Sequence, residues 1–402
     1  MTPVSEAIRI VLQHAPSLEF EVAALGDAMG RILAEDIIAD TDLPPFDRAQ
    51  MDGYALRAID VAAAPARLRS AGESAAGAGW HHEMKTGEAV RIMTGAPVPE
   101  GADAVQQVEL TREVDSGVVV EILEPVEAGR SIVKQAAEIK AGETVLHAGE
   151  TINAAMIATL ASFGYGRVKV GRRPRVAVMA TGSELVDVDQ KPGRDQIRDS
   201  NNYTIAAYAS LAGAIVERWP LAGDDTEELK KQINQAVATS DVLITSGGVS
   251  MGVYDFMKPA LKQLGAESFF ERVALRPGKP TVFARLGETL IFGLPGNPVS
   301  VTVTFNLFAR AALRKMQGAR QPGLIEETAV LARAVKGSAD RESYLPAILR
   351  TDEQGTLLAE PLKWGGSSDF VAFARATALI DVPAGVKAIG AGERVMIVKL
   401  PN

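Results

Sequence analysis

Four polar turns, each closing an apolar run, hold the side chains best suited to chemistry on anions: ATGSE (Ala180 to Glu184), AGDD (Ala222 to Asp225), TSGGVSMGVYD (Thr245 to Asp255) and GLPGNP (Gly293 to Pro298). Ser246, Gly247, Gly248 and Ser250 in the third turn offer amides and small side chains that let the backbone approach a phosphate closely. Pro295, Gly296, Asn297 and Pro298 in the fourth make a similar turn at a helix start. Glu184, Asp224, Asp225 and Asp255 are the acids of these turns. Carboxylates beside phosphate-cradling amides are what Mg²⁺ requires, because it binds through one or two of them plus phosphate oxygens and water. A fifth stretch, ALRPGKP, sets Arg276 and Lys279 around a Pro-Gly turn, so that a planar fork and a compact ammonium bend toward one anion. Each acid taken alone also suits a helix cap or a solvated surface, Asp225 most of all. A glycine-rich turn after a strand is likewise common without any ligand. The GKP triplet lacks the Ser or Thr of a Walker loop, and neither a dinucleotide-binding GxGxxG nor a GxSxG elbow occurs. MDGYA with Asp52 and RIMTGAPVP with Thr94 stand out as polar turns in apolar surroundings, where ordinary bends explain them locally.

For the turns to meet, the runs before them must share one sheet. RVAVMA, a helix over Ser200 to Ala212, IVERW, a helix over Asp225 to Ala238 and DVLIT alternate as a parallel α/β sheet requires. Val242, Leu243 and Ile244 are apolar on both faces and too few for a helix, which suits a strand covered by helices on each side. Turns at the carboxyl ends of such strands line the crevice where open α/β sheets bind ligands. Asp225 is placed to cap its helix, with Glu228 three residues on and Leu229, Ile233 and Val237 as its apolar stripe. A helix over Lys258 to Leu264, strands in SFFERVAL, PTVFARL and ETLIFG, and a long helix over Pro298 to Met316 with proline in its first turn complete the domain.

The rest of the chain frames this domain. Val4 to His14 carries a helical apolar face, with Ser5 able to cap it. Pro44 and Pro45 impose an extended crossing. From there to about Glu138, turn-separated runs such as AVRIM, DAVQQVEL and GVVVEIL indicate a mostly β unit, with the Ala-, Gly- and Ser-rich Ala62 to Trp80 expected as loop. Helical spacing resumes at Ala154, Ile157, Ala158 and Ala161, so the β unit reads as an insertion. The expected division is 1–43 with 141–173 as an elongated helical N-terminal domain, 44–140 as a β-rich insertion, 174–320 as the α/β domain and 321–402 as a small β barrel or sandwich.

With 402 residues the chain exceeds one hydrophobic core. Forty-two Lys and Arg against 50 Asp and Glu leave a net charge of −8, which opposes general affinity for nucleic acid or an anionic membrane, so any anion site must be local. The absence of cysteine removes disulfides, thiolate nucleophiles and thiolate zinc sites. His14, His81, His82 and His147 share no metal-ligand spacing. No leader pattern and no membrane-length apolar run occurs, which makes a cytoplasmic protein the expectation.

PPFDRAQMDGYA, RIMTGAPVP, ATGSELV, IRDSNN, TSGGVSMGVYD, RPGKP and GLPGNPVS, in this order over nearly the whole chain, resemble the MoeA family of molybdopterin molybdenumtransferases, itself related to the gephyrin E domain. The resemblance implies an elongated four-part homodimer, its active site formed by the α/β domain of one subunit and the inserted and C-terminal domains of the other. It implies Mg²⁺-dependent insertion of molybdate into adenylylated molybdopterin, with release of AMP. A molybdopterin adenylyltransferase, and molybdoenzymes or their chaperones, would be transient partners. The family's functional acids fall on Asp52, Glu184, Asp224 or Asp225, and Asp255; Thr94, Lys279 and Ser367 match a family threonine, lysine and serine. Arg276 stands where some relatives have Lys. In VKQAAEI the chain departs from the family's Arg and Gly-Glu-Asp: Lys134, Ala136, Ala137 and Glu138 occupy those places. Thr377 lacks the acid or amide of many relatives, and Val253 stands where many have an acid. A non-catalytic molybdopterin-binding or scaffold protein on the same fold is the alternative, because fold does not fix function.

Overall fold

The computed structural model describes residues 1–221, 225–248 and 256–401 of a multidomain α/β protein with mixed sheets. These divide into two compact units: Met1–Glu35, Ala148–Ile157 and Arg167–Asn402 form one, and Asp36–His147 with Ala158–Gly166 the other.

The second unit is built on six strands, β1 (Gly53–Leu56), β2 (Ala66–Ser74), β3 (Glu88–Ile92), β4 (Ala104–Gln107), β5 (Thr111–Val114) and β6 (Val119–Ile122). Their spatial order is β4-β1-β3-β2-β6-β5, antiparallel except for β2 beside β3. Tyr54, Leu56, Leu68, Val120 and Ile122 fill one face, and Ala55, Ile92 and Val105 the other. The sheet corrects one expectation. Strand β2 lies inside the segment whose composition predicts a loop, and it is an interior strand. Only Leu68 and Ser74 of β2 are buried, so its side chains carry little apolar signal. Hydrogen bonding on both edges holds it instead, together with ion pairs from Arg69 to the buried Glu88 and Arg67 to the buried Glu121. Its register slips between Ser70 and Gly72, where a Cβ on the glycine would lie 2.6 Å from the Trp80 indole nitrogen.

In the first unit the central sheet comprises β7 (Arg175–Ala180), β8 (Ile215–Arg218), β9 (Val242–Ser246), β10 (Glu267–Phe270), β11 (Val282–Leu286) and β12 (Thr289–Leu294), in the order β8-β7-β9-β12-β11-β10. The first four are parallel, as expected, but the sheet is not parallel throughout. Strands β11 and β12 pair with Leu286 opposite Thr289, so the Gly287–Glu288 turn is too short for a crossover and forces them antiparallel. Strand β10 joins that edge antiparallel as well.

Helices cover both faces. Helix Val4–His14 and helix Asn201–Leu211 pack with Val178, Ile244 and Phe292 on one side. Leu229, Ile233 and Met257 pack with Ala177, Leu243 and Ile291 on the other. Pro3, not Ser5, holds the N-cap of the first helix, and no side chain caps it. The long helix after PGNP runs from Pro298 to Met316 through a π turn at Phe305–Ala309. Arg172 grips Asp241 with two bonds, 3.0 and 2.9 Å, and the Arg175 amide donates to the same carboxylate at 2.7 Å, fixing the starts of β7 and β9 together.

The C-terminal strands β13 (Glu326–Leu331), β14 (Glu342–Thr351), β15 (Leu357–Pro361), β16 (Ala378–Val382) and β17 (Arg394–Lys399) close into a five-stranded barrel around Leu331, Leu345, Ile380 and Ile397. A short strand, Leu275–Arg276, lies parallel to the beginning of β14, with Arg276 opposite Ser343. The RPGKP turn is thereby tied to the barrel.

Candidate functional site

Parallel strands place their carboxyl ends side by side, and the turns that follow are bonded to one another. The Thr181 amide donates to the Ser246 carbonyl at 3.0 Å, Gly247 N–H to Leu294 O at 3.2 Å, and the Asn201 side-chain amide to Gly296 O at 2.7 Å. ATGSE, TSGG, PGNP and the IRDSNN segment thus meet at one sheet edge. Gly247 and Gly248 have φ of 84° and 62°, and a Cβ on Gly247 would sit 2.4 Å from the Thr181 carbonyl oxygen. These glycines are therefore required by the neighbouring turn and by their own backbone angles, a reason distinct from ligand approach. Ser246 is buried and its hydroxyl has no partner among the described residues.

The acids divide. Glu184 is exposed, and its carboxylate has no hydrogen bond or ion pair among the described residues. Asp225 is the N-cap of helix Thr226–Thr239, one of its oxygens accepting from the amides of Glu227 and Glu228 at 2.8 and 3.2 Å. Glu228 does not complete a reciprocal box; it faces Lys231. Asp224, Ser250 and Asp255 lie outside the described residues. Among the described residues no three acids or histidines come together as a metal site.

Below this edge, between the α/β sheet and the barrel of the same unit, lies a cavity of about 890 Å³. It gathers Arg276 and Lys279 with Pro295, Gly296, Asn297 and Ser367, which are up to 91 positions apart in sequence (367 minus 276). Pro298 begins the helix beside it, and Ser300 reaches the lining. The Asn297 side-chain amide donates to Ser367 Oγ at 2.8 Å, and the Ser367 carbonyl accepts from Val299 N–H at 3.0 Å, joining PGNP to the GGSSD loop. Asp369 shapes that loop by accepting from the Gly365 and Ala372 amides, which hold its carboxyl below its ordinary range. Arg276 donates to Gly337 O at 3.2 Å.

Two cations in the lining were not singled out from the sequence: Lys336 and Arg341. They stand five positions apart around Gly337, without the Pro-Gly turn that marks RPGKP, so nothing local set them apart. Four cations and no acid line the cavity among the described residues. Asp340 stands just outside, 3.4 Å from Arg341. Thr377, by contrast, has a structural use: its hydroxyl accepts from Leu349 N–H at 2.9 Å.

In the other unit, Asp52 and Thr94 are partners. One Asp52 oxygen accepts from the Thr94 amide at 2.6 Å and from its hydroxyl at 2.7 Å. Both groups are exposed, and the two bonds from Thr94, amide first, keep Asp52 below the usual carboxylate range. The result is an ionised, oriented carboxylate with one oxygen still available. His81 and His82 lie on an exposed loop, as expected.

This architecture has known counterparts. Residues 2–164 match the MoeA N-terminal region (domain I and II), residues 177–315 a "Probable molybdopterin binding domain", and residues 328–400 the MoeA C-terminal region (domain IV). The chain belongs to the MoeA family. It is 36% identical over 401 residues to a molybdopterin molybdenumtransferase of Bacillus subtilis, covering 98% of this chain and 93% of that one. Against the enzyme of the same name from Staphylococcus aureus it is 36% identical over 402 residues, covering 98% and 95%. Two crystal structures of a molybdopterin biosynthesis MoeA protein from Pyrococcus horikoshii superpose with TM-scores of 0.81 and 0.86, at 32% and 28% identity, over 99% and 100% of both chains.

Proposed function

We propose that the cationic cavity receives molybdate and that the protein inserts it into adenylylated molybdopterin, releasing AMP. The chain is a transferase of molybdenum cofactor biosynthesis, as its curated relatives are. The observation that carries the finer reading is the lining of Arg276, Lys279, Lys336 and Arg341, with no acid among the described residues, in a protein of net charge −8. Molybdate is a dianion and an adenylylated pterin carries a pyrophosphate, so the two repel each other. Fixed cations and strand-end amides offset that repulsion where the reactants meet. Asn297 and Ser367 add hydrogen-bonding groups at the cavity wall and orient one another.

Ser246, Gly247, Gly248 and Pro295 to Pro298 form the edge on which the substrate phosphates rest in this reading, and Ser250 is a further candidate to bind them. Mg²⁺ suits the donor chemistry of that edge, where Glu184 has a carboxylate without a partner among the described residues and Asp225 keeps one oxygen uncapped; Asp224 and Asp255 are the other candidate ligands. The ion would supply positive charge to the bridging phosphate. Asp52, oriented by Thr94, contributes a fixed carboxylate. The protein works as a homodimer in this reading, with the Asp52–Thr94 pair provided from across the subunit boundary. No side chain need form a covalent intermediate, and rate enhancement comes from positioning and electrostatics.

The test is to incubate the purified protein with adenylylated molybdopterin, molybdate and Mg²⁺ and to measure AMP and active cofactor. AMP release that depends on molybdate is the expected result. Release no faster than in a protein-free control overturns the proposal.

A further inference from the structure

Within VKQAAEI, the bonds of Lys134, Gln135 and Glu138 tie this segment to residues 42–48. Chain segment 47–50 runs between two others. On one side, Ala49 exchanges backbone bonds with Ala96 and Gly95 at 3.0 and 2.9 Å, and Val98 N–H donates to Asp47 O at 2.8 Å. On the other, Arg48–Ala49 pairs antiparallel with Ile132–Val133, and Gln50 N–H donates to Ser131 O at 2.9 Å. The segment beyond Val133 then folds around Asp47. Lys134 Nζ reaches one Asp47 oxygen at 2.7 Å and the Gln135 amide donates to the other at 2.8 Å. The Gln135 side chain reaches Asp42 at 2.7 Å, and Arg48 donates to Glu138 at 3.1 Å. Asp47 is partly buried, which opposes its charge, yet the Lys134 and Gln135 bonds hold its carboxyl below the ordinary value.

We infer that Asp47 is a positioning residue: clamped by Lys134 and Gln135, it sets the register of the 47–52 loop against the 93–98 segment and so fixes Asp52 on Thr94. Glu138 supports the same clamp through Arg48. The bonds run between residues 42–48 and 134–138 and touch neither Asp52 nor Thr94, so they act only through the loop. Lys134 and Glu138 are exposed while Asp47 and Arg48 are half-buried, and solvent-facing pairs of this kind add little to stability. A large effect on catalysis with little effect on folding is therefore the mark of a positioning role. The inference rests on the proposed use of Asp52 in the transfer reaction.

The experiment is a double-mutant cycle on the full chain with Asp47→Ala and Asp52→Asn, reading molybdate-dependent AMP release, KM for adenylylated molybdopterin and thermal unfolding. Asp47→Ala alone is expected to lower kcat ten- to hundredfold, with KM changed less than threefold and the unfolding midpoint nearly kept. In the Asp52→Asn background it should cost less than twofold more, because its effect passes through Asp52. Asp47→Glu should restore part of the rate. Full activity of Asp47→Ala, or equal fold losses in both backgrounds, overturns the positioning role. Full activity of Asp52→Asn alone overturns instead the use of Asp52 itself, so the two failures are distinguishable.

Discussion

Asp381 makes the stability of the C-terminal barrel depend on pH in a direction opposite to that of most carboxylates. It sits on the outer face of β16, opposite Tyr344 and Met396, and one of its oxygens is buried without a hydrogen-bond partner among the described residues. Tyr344 is buried and donates its hydroxyl to Glu342 at 2.6 Å, so it brings a second carboxylate toward Asp381. Burial first, and then the charges of Glu342 and Glu326, push the Asp381 carboxyl from its ordinary 3.8 up to about 7. The folded state therefore holds a proton that the unfolded chain releases near pH 4. Stability from this group is fully present below that pH and is lost as pH rises through the folded value near 7. A change of this size corresponds to about 4 kcal/mol at most. Contact with water on one side reduces it to about 1–2 kcal/mol.

Asp381→Asn removes the charge and keeps the shape. At pH 8 the variant should exceed the parent by about 1–2 kcal/mol, and at pH 4.5 the difference should nearly vanish. Because a multidomain chain need not unfold in one step, the assay is amide hydrogen exchange across Glu342–Thr351 and Ala378–Val382 at several pH values, beside urea unfolding. A gain of the same size at both pH values would refute the reasoning, since it would then reflect packing and not charge.

Two further outcomes follow from other positions. Ala136 has φ of 59°, a left-handed angle that costs a side-chain-bearing residue about 1 kcal/mol; Ala136→Gly should raise unfolding resistance by about 0.5 kcal/mol after the added freedom of the unfolded chain is counted, with AMP release unchanged, as thermal unfolding and the transfer assay would show. Lys336→Ala and Arg341→Ala should each weaken molybdate binding several-fold by calorimetry, and binding indifferent to both would remove these two residues from the anion site.

Much of the fold was legible because the sequence periods match the elements. Val242, Leu243 and Ile244 are apolar on both faces and form a strand covered on both sides. Leu229 and Ile233 point into the domain core from a helix that Asp225 caps. Strand β2 was not legible, because a strand held by neighbours on both edges needs no apolar alternation of its own. The antiparallel edge of the central sheet hung on a two-residue turn, a signal far smaller than the strands it orients. In the site, Arg276 and Lys279 stood out as a local pair, whereas Lys336 and Arg341 gain meaning only through the pairing of Leu275–Arg276 with Glu342–Ser343. A contact between segments so distant in sequence leaves no local mark.

The four cations of the cavity belong to a chain whose net charge is −8, and the two facts act over different distances. In dilute salt the screening length is about 30 Å, so an approaching dianion meets the repulsion of the whole protein before it meets the cavity. Near 0.1 M it shortens to about 10 Å. The distant repulsion is then damped while the cations lining the cavity still attract. Entry of the anion is consequently fastest at intermediate ionic strength, and slows both in very dilute buffer and in concentrated salt, which finally screens the cavity as well.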